Sequence, residues 1–177
     1  MTLTVASSLV DVCFTVCTAL ETAGTVVVLT GGSAATFYAP EAYQSRDADF
    51  IITMRGNLAK GTLIMNELGF SEKGGIYVHR ENPYTVEFPP GPLAVGDDLI
   101  ASWDRFQRDV QHLNVLTRTD CVRDRLTAFY FYHDQSALAA ALAVASGGPI
   151  DLALIQRWSG REGEATAFQQ FKSRLST

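Results

Sequence analysis

Basic charge is scarce in this 177-residue chain: 14 Lys and Arg stand against 19 Asp and Glu, for a net charge of −5 and a pI near 5.1. There is no long basic run. That argues against a nucleic-acid partner held by a broad electrostatic surface and leaves room only for a local patch. Cysteine is scarce too. Cys13, Cys17 and Cys121 are odd in number, and no pair has the spacing of a zinc knuckle with a second pair. Cys13 and Cys17 lie four apart in an apolar, helix-like run, so all three read as reduced core thiols of a cytosolic, hence cytoplasmic, protein. No Lys or Arg precedes Asp11, and the apolar stretch from Leu9 to Leu20 is too short and mixed to span a bilayer. Neither a signal peptide nor a membrane partner is expected. Several motifs are missing as well. The double glycine at 31–32 belongs to no G-x-G-x-x-G turn, no Walker lysine follows it, and there is no G-x-S-x-G elbow. His79, His112 and His133 are scattered, with no metal-ligand spacing, and read as exposed or loop residues.

What is present is enough for a core. Hydrophobic residues make up 47% and charged residues 19%, a mix that needs no staples and fits one domain, or one domain with a small appendage. Ser7 and Ser8 offer an N-cap to a helix over 8–22, and "TVVVLT" (25–30) is a short β-branched strand, apolar on both faces. "GGS" breaks it. "AATFYA" is helical, "PEAYQSR" a polar loop, and "ADFIITM" (48–54) a second buried strand. A helix over 57–68 follows, then "GFSEKGG" as a turn-rich link. "IYVHR" (76–80) and "YTVEF" (84–88) form a hairpin around "ENP". "PPGPLAVGDD" is a proline-fixed loop, and 99–117 holds two more strands. From Thr119 the pattern turns helical, with helices near 120–131, 135–146, 150–158 and 162–174, and with Asp134 as an N-cap. The expected architecture is α/β with a mixed sheet: a core over 1–118 and a helical C-terminal region over 119–177 packed on it.

One constellation carries chemistry. A buried strand ends in Gly31-Gly32-Ser33, and thirteen residues intervene before Asp47-Ala48-Asp49 enters a second buried strand. Side chains two apart on a strand share a face, so Asp47 and Asp49 project together. If the 84–88 strand lies beside them, Glu87 joins. Three carboxylates on one sheet face repel one another unless a cation sits between them. All-oxygen ligands suit a hard divalent ion, magnesium by default or manganese. The glycines let the backbone approach a bulky anion, and the Ser33 hydroxyl and the free N–H groups of the helix that Ser33 begins can hold phosphate oxygens. Phosphate and metal elements together suit phosphoryl or nucleotidyl transfer.

The run "LTGGSAATFYAPEAYQSRDADFII" resembles the signature of the nucleotidyltransferase superfamily, the DNA polymerase β-like fold. Within it the chain looks most like the compact group around AbiEii-type toxins and minimal nucleotidyltransferases, where the loop before the acidic pair carries Arg, here Ser45-Arg46. A second match is "DRLTAFYFYHDQSAL", in which Arg125-Leu126-Thr127-Ala128 and then Asp134 resemble that group's Lys-Leu-x-Ala helix and following Asp. The resemblance covers residues 25–140 and implies a nucleotidyltransferase fold with a helical C-terminal region. It also implies transfer of a nucleoside monophosphate from an NTP, with Asp47, Asp49 and Glu87 as catalytic metal ligands. Gly31, Gly32, Ser33 and Arg125 fall on the nucleotide, and Asp134 and Arg46 on the acceptor side. The acceptor is then a hydroxyl of a tRNA end or a protein, and the partner a cognate toxin or antitoxin, or a second copy of the chain. Two departures, Arg125 for Lys and Glu87 for the commoner Asp, keep open a non-catalytic binding or regulatory protein of the same fold.

Taken singly, each motif has a plainer reading. The double glycine is an ordinary strand-to-helix turn. Asp47 and Asp49 can pair with Arg46 or Arg55, Arg125 with Asp120 or Glu162, and Asp134 can simply cap its helix. The aromatic run "FYFYH" (129–133) is most simply a buried helix face, with base stacking as the alternative. Trp103 and Trp158 read as core or interface anchors.

Overall fold

The computed structural model describes residues 2–56 and 58–175. Ser8 caps α1 (Leu9–Thr22) in a reciprocal capping box with Asp11. The chain then runs through β1 (Val26–Leu29), α2 (Gly31–Tyr38), β2 (Asp47–Met54), α3 (Leu58–Glu67), β3 (Phe70–Lys73), β4 (Ile76–His79) and β5 (Thr85–Glu87). Two-residue strands β6 (Ala94–Val95) and β7 (Asp98–Leu99) pair only with each other, and β8 (Asp104–Arg108) and β9 (Gln111–Val115) complete the strands. Four helices follow: α4 (Arg118–Tyr132), α5 (Gln135–Ser146), α6 (Leu152–Arg161) and α7 (Ala165–Leu175).

A seven-stranded mixed sheet runs in the order β3-β4-β5-β2-β1-β9-β8. β1 pairs antiparallel with β2 and parallel with β9, and β2 pairs parallel with β5. Val27, Val28, Leu29, Ala48 and Phe50 are fully buried, as two central strands with apolar runs require. On the face carrying Phe50, Phe88 stacks near it at 6.2 Å and meets Tyr77 edge-on at 5.5 Å. α1 and α3 approach that face through Leu20 and Met65. The buried core is continuous from these strands into α4–α7, where Trp158, Phe168 and Phe171 are buried.

Three expectations change. Residues 70–73 of the supposed link are an edge strand, because Gly74 and Gly75, both with positive φ, close a tight two-residue turn that pairs Lys73 with Ile76. Part of the proline-rich loop folds into the β6–β7 pair. The histidines are not generally exposed. His79 is 5% exposed, with Nε2 against the Leu68 carbonyl and Nδ1 accepting from the Glu81 and Asn82 N–H groups. The helix expected over 57–68 is observed as α3, and residue 57 lies outside the described residues.

Candidate active site

The site is built where β1 ends and β2 begins. The Thr30 N–H donates to the Asp49 carbonyl at 2.8 Å, which closes the strand end over β2. α2 starts at Gly31, two residues before Ser33, with Ala34 N–H making the first turn bond to Thr30 O. The N–H groups of Gly31, Gly32 and Ser33 precede that first bond, so the helix offers them forward. Gly31 is obligatory here: its φ is +64°, and a Cβ on it would stand 2.5 Å from Asp49 Oδ2. A Cβ on Gly32 would meet the Tyr43 hydroxyl at 3.0 Å and Ser45 Oγ at 3.1 Å. The glycine turn, Tyr43, Ser45 and Asp49 thus share one small region.

The parallel register of β2 and β5 aligns Asp47 with Thr85 and Asp49 with Glu87. Aligned residues of neighbouring strands project from the same face about 5 Å apart, so Asp47, Asp49 and Glu87 stand on one face. Asp47 Oδ1 accepts from Ser45 Oγ at 2.8 Å. No hydrogen bond reaches the side chains of Asp49 or Glu87 among the described residues. Burial pushes the Asp49 carboxyl up to about 6, Asp47 and then Glu87 push it the same way, Arg125 opposes and Asp124 adds to the rise. The donor set is all oxygen, which fits a hard divalent cation. Among the described residues the three do not bring one oxygen each within 4.8 Å of one another, so shared coordination requires their side chains to turn inward.

Ser33 behaves differently from its expected role as a hydroxyl ligand of phosphate. It is 1% exposed; its hydroxyl donates to Thr30 O at 2.8 Å and accepts from the Asp49 N–H at 3.0 Å. It ties the glycine turn to the acidic strand, leaving only its N–H for a ligand. Arg125 is held by its neighbour: Nε and Nη2 both donate to Asp124 Oδ2, at 3.0 and 2.8 Å. It makes no ion pair with Asp120 or Glu162 among the described residues, and its charge is felt at Asp49 and at Asp134. Asp134 caps α5, with Oδ1 accepting from the Ser136 and Ala137 N–H groups. Arg46 is exposed and lines an open cleft of about 550 Å³ with Gln44, Ser45, Pro83 and Tyr84.

Sequence reasoning passed over Asp124 and Tyr43. Both contribute to the electrostatics at Arg125; Tyr43 lies in the loop just before the acidic pair, whereas Asp124 comes from α4, far from it in sequence. Only the adjacency of Asp124 to Arg125 was available as a signal.

A second cluster lies between α1 and β9. Cys17, Glu21 and His112 bring ligand atoms within 4.8 Å of one another, a group able in principle to hold a metal. Its partners are already in place. Glu21 accepts from Arg105 Nη1 at 2.8 and 3.0 Å and from Asn114 Nδ2 at 3.0 Å, and meets His112 Nε2 at 2.8 Å. Cys17 is fully buried, and burial pushes its thiol up to about 11, far from the thiolate a metal needs.

The mixed sheet with a glycine turn opposite an acidic strand pair, followed by helices, is a fold shared with a solved nucleotidyltransferase. A solved structure that the chain resembles is the antibiotic-resistance factor ANT(2'')-Ia, an aminoglycoside nucleotidyltransferase. It has a TM-score of 0.51 at 13% identity, over 95% of this chain and 93% of that one. At that identity the likeness shows the fold alone, and it does not extend to the compact AbiEii-like group. No family model and no curated protein matches the chain. No helix among the described residues is long and apolar enough to cross a membrane.

Proposed function

We propose that the chain is a divalent-metal-dependent nucleotidyltransferase that moves a nucleoside monophosphate from an NTP to an acceptor hydroxyl. The observation that carries this reading is the register of β2 and β5, which sets Glu87 opposite Asp49 beneath the glycine turn. Asp47, Asp49 and Glu87 would hold magnesium or manganese, which would neutralise phosphate charge. The N–H groups of Gly31, Gly32 and Ser33 hold the β- and γ-phosphates at the start of α2, and Arg125 holds the triphosphate from the helical side. Residues 1–118 thus supply the carboxylates and residues 119–177 the opposing cation. The acceptor oxygen forms a bond to the α-phosphorus as the bond to pyrophosphate breaks, and Glu87 orients the hydroxyl and takes its proton.

The acceptor approaches from the cleft at Arg46, and Asp134 belongs to the acceptor side in the same reading. Its class is a tRNA end or a protein hydroxyl. The antibiotic-resistance role of ANT(2'')-Ia adds a small-molecule hydroxyl to these. A cytoplasmic setting is supported by three free, buried thiols. A cognate toxin or antitoxin partner, or a second copy of the chain, belongs to the same reading.

Thermal shift with each of the four NTPs, with and without magnesium, tests the donor site in the wild type and in Asp47→Asn/Asp49→Asn. A ligand at 100 times its Kd adds about 2.7 kcal/mol, so a magnesium-dependent rise in Tm that the double variant lacks is expected. The spread of the three carboxylates beyond 4.8 Å favours a second reading, a non-catalytic binding or regulatory protein of this fold. Magnesium-dependent NTP binding without transfer to any acceptor in a labelled lysate would choose it.

A further inference from the structure

A cavity of about 230 Å³ lies on the face of the sheet opposite the carboxylates. Ile52 of β2, Tyr77 of β4 and Phe88, which follows β5, form its floor. Ile52 is three residues past Asp49 and Phe88 one past Glu87, so alternation turns both away from the acidic face. Leu20 of α1 and Met65 of α3 wall it. The rings of Tyr77 and Phe88 brace each other edge-on at 5.5 Å.

The sequence leaves this space open. Gly61 lines the cavity from within α3, where glycine is among the least favourable residues. A Cβ placed on it would meet nothing within 4 Å. Arg55 is exposed and yet lines the cavity, which puts it at the solvent edge. The turn that carries it is held in place: the Gly56 N–H donates to Thr25 Oγ1 at 3.1 Å, and a Cβ on Gly56 would stand 2.9 Å from the Gly24 carbonyl. Arg55 is the one charge among the described lining residues. Its guanidinium makes no ion pair with Asp47 or Asp49, and has no hydrogen-bond partner among the described residues.

We propose that this cavity binds a small aromatic carboxylate, with the ring between Met65 and the Tyr77–Phe88 pair and the carboxylate at Arg55. The volume exceeds the roughly 150 Å³ at which an apolar cavity already takes up benzene. Aromatic side chains favour edge-on and offset contacts with a further ring, and an unpaired guanidinium offers two parallel N–H groups to a carboxylate. An apolar concavity with one polar group placed at its edge has the make-up of a small-molecule site. This site is distinct from the glycine turn and the carboxylates, and it does not depend on the nucleotidyltransferase reading. Its floor is the back of β2 and β5, so an occupant touches the two strands that set Asp49 opposite Glu87.

Titration calorimetry on the full chain with 2-naphthoate, and with its neutral counterpart 2-naphthamide, tests the proposal. Wild type is expected to bind one equivalent of naphthoate. Gly61→Leu fills the space and should weaken binding roughly 10-fold or more, with Gly61→Ala in between. Both changes replace glycine with a better helix former, so the melting temperatures should not fall; if Gly61→Leu does melt lower, Gly61→Ala carries the comparison. Arg55→Gln should weaken naphthoate roughly 2- to 5-fold, the scale of an exposed ion pair, and leave naphthamide unchanged. Leu99→Ser, in the neighbouring apolar groove of about 590 Å³, should alter neither affinity. Failure of wild type to bind naphthoate overturns the proposal. So does binding that survives both Gly61 variants or is lost with Leu99→Ser, because the probe then sits elsewhere. Equal affinity for the two probes, unmoved by Arg55→Gln, overturns the assignment of a carboxylate ligand.

Discussion

Two clusters of charge sit on either side of β1, and they are built on opposite principles. Around Glu21 every group has its complement: Arg105, His112 and Asn114 converge on one carboxylate, and the hydrogen bonds from Arg105 and Asn114 hold Glu21 below the usual carboxylate range against the cost of its burial. Around Asp49 the neighbours are mostly of its own sign, no hydrogen bond reaches its carboxylate among the described residues, and its acidity is pushed the other way. Both clusters contain acidic groups at the edge of a helix and a strand. The first has its charges answered within the protein, and the second gathers like charges that only Arg125 opposes. A cluster's capacity to ligate is therefore a poorer guide to function than whether its charges are already answered.

The sharpest break of this contrast is Asp49→Asn. It should reduce nucleotidyl transfer by roughly 100-fold or more, the scale of losing one preorganised charge at a reacting centre. The radiolabel-transfer rate with the native acceptor, or pyrophosphate exchange, measures it. The fold should tolerate the change, because the substitution removes a charge that the native state opposes. The mirror experiment is Glu21→Gln. It should leave transfer unchanged once corrected for folding, and cost about 1–3 kcal/mol of stability, because Arg105 and His112 lose the carboxylate that satisfies them. Urea unfolding followed by fluorescence gives that number. A Glu21 variant that lost transfer at full stability would place function in the wrong cluster.

The smallest effect is a trend with pH. Asp49 has its folded pKa raised to about 6. Its contribution therefore favours the folded state at pH below about 4, in the unfolded carboxylate range, and is lost as pH rises through about 6. Glu21, held low, works in the reverse sense: its contribution is present above the unfolded range and lost as pH falls through its folded value. In chelator-treated buffer, the Tm of Asp49→Asn minus that of wild type should grow between about pH 4 and 6 and then level off. A flat difference would show that the carboxylates are better solvated than their burial implies.

Much of the site was legible before folding because its signals are local. Period-two alternation put Asp47 and Asp49 on one face whatever the rest of the chain did, the double glycine marked a backbone turn that no side chain could make, and Asp134 sat where an N-cap belongs. The pairing of β2 with β5 was a condition rather than a reading. Nothing within "YTVEF" says which strand it will lie beside, and a slip of one residue would turn Glu87 to the other face.

Asp124 and Tyr43 were missed, and Ser33 was given a ligand's role, for a related reason. Whether a hydroxyl faces a phosphate or joins two backbone segments depends on which carbonyl and which N–H surround it, and those belong to Thr30 and Asp49. His79 and His112 were read as exposed because isolated histidines carry no periodic signal, and only packing gave them the Leu68 carbonyl and the Glu21 carboxylate. The amino-acid order determined the elements, the turn and the shared face of the acidic pair, since backbone sterics and alternation act within a few residues. The third carboxylate, the direction of Arg125, the exposure of Tyr132 and the silence of the Cys17–Glu21–His112 group were decided by long-range packing, because register, burial and charge compensation exist only between segments that folding brings together.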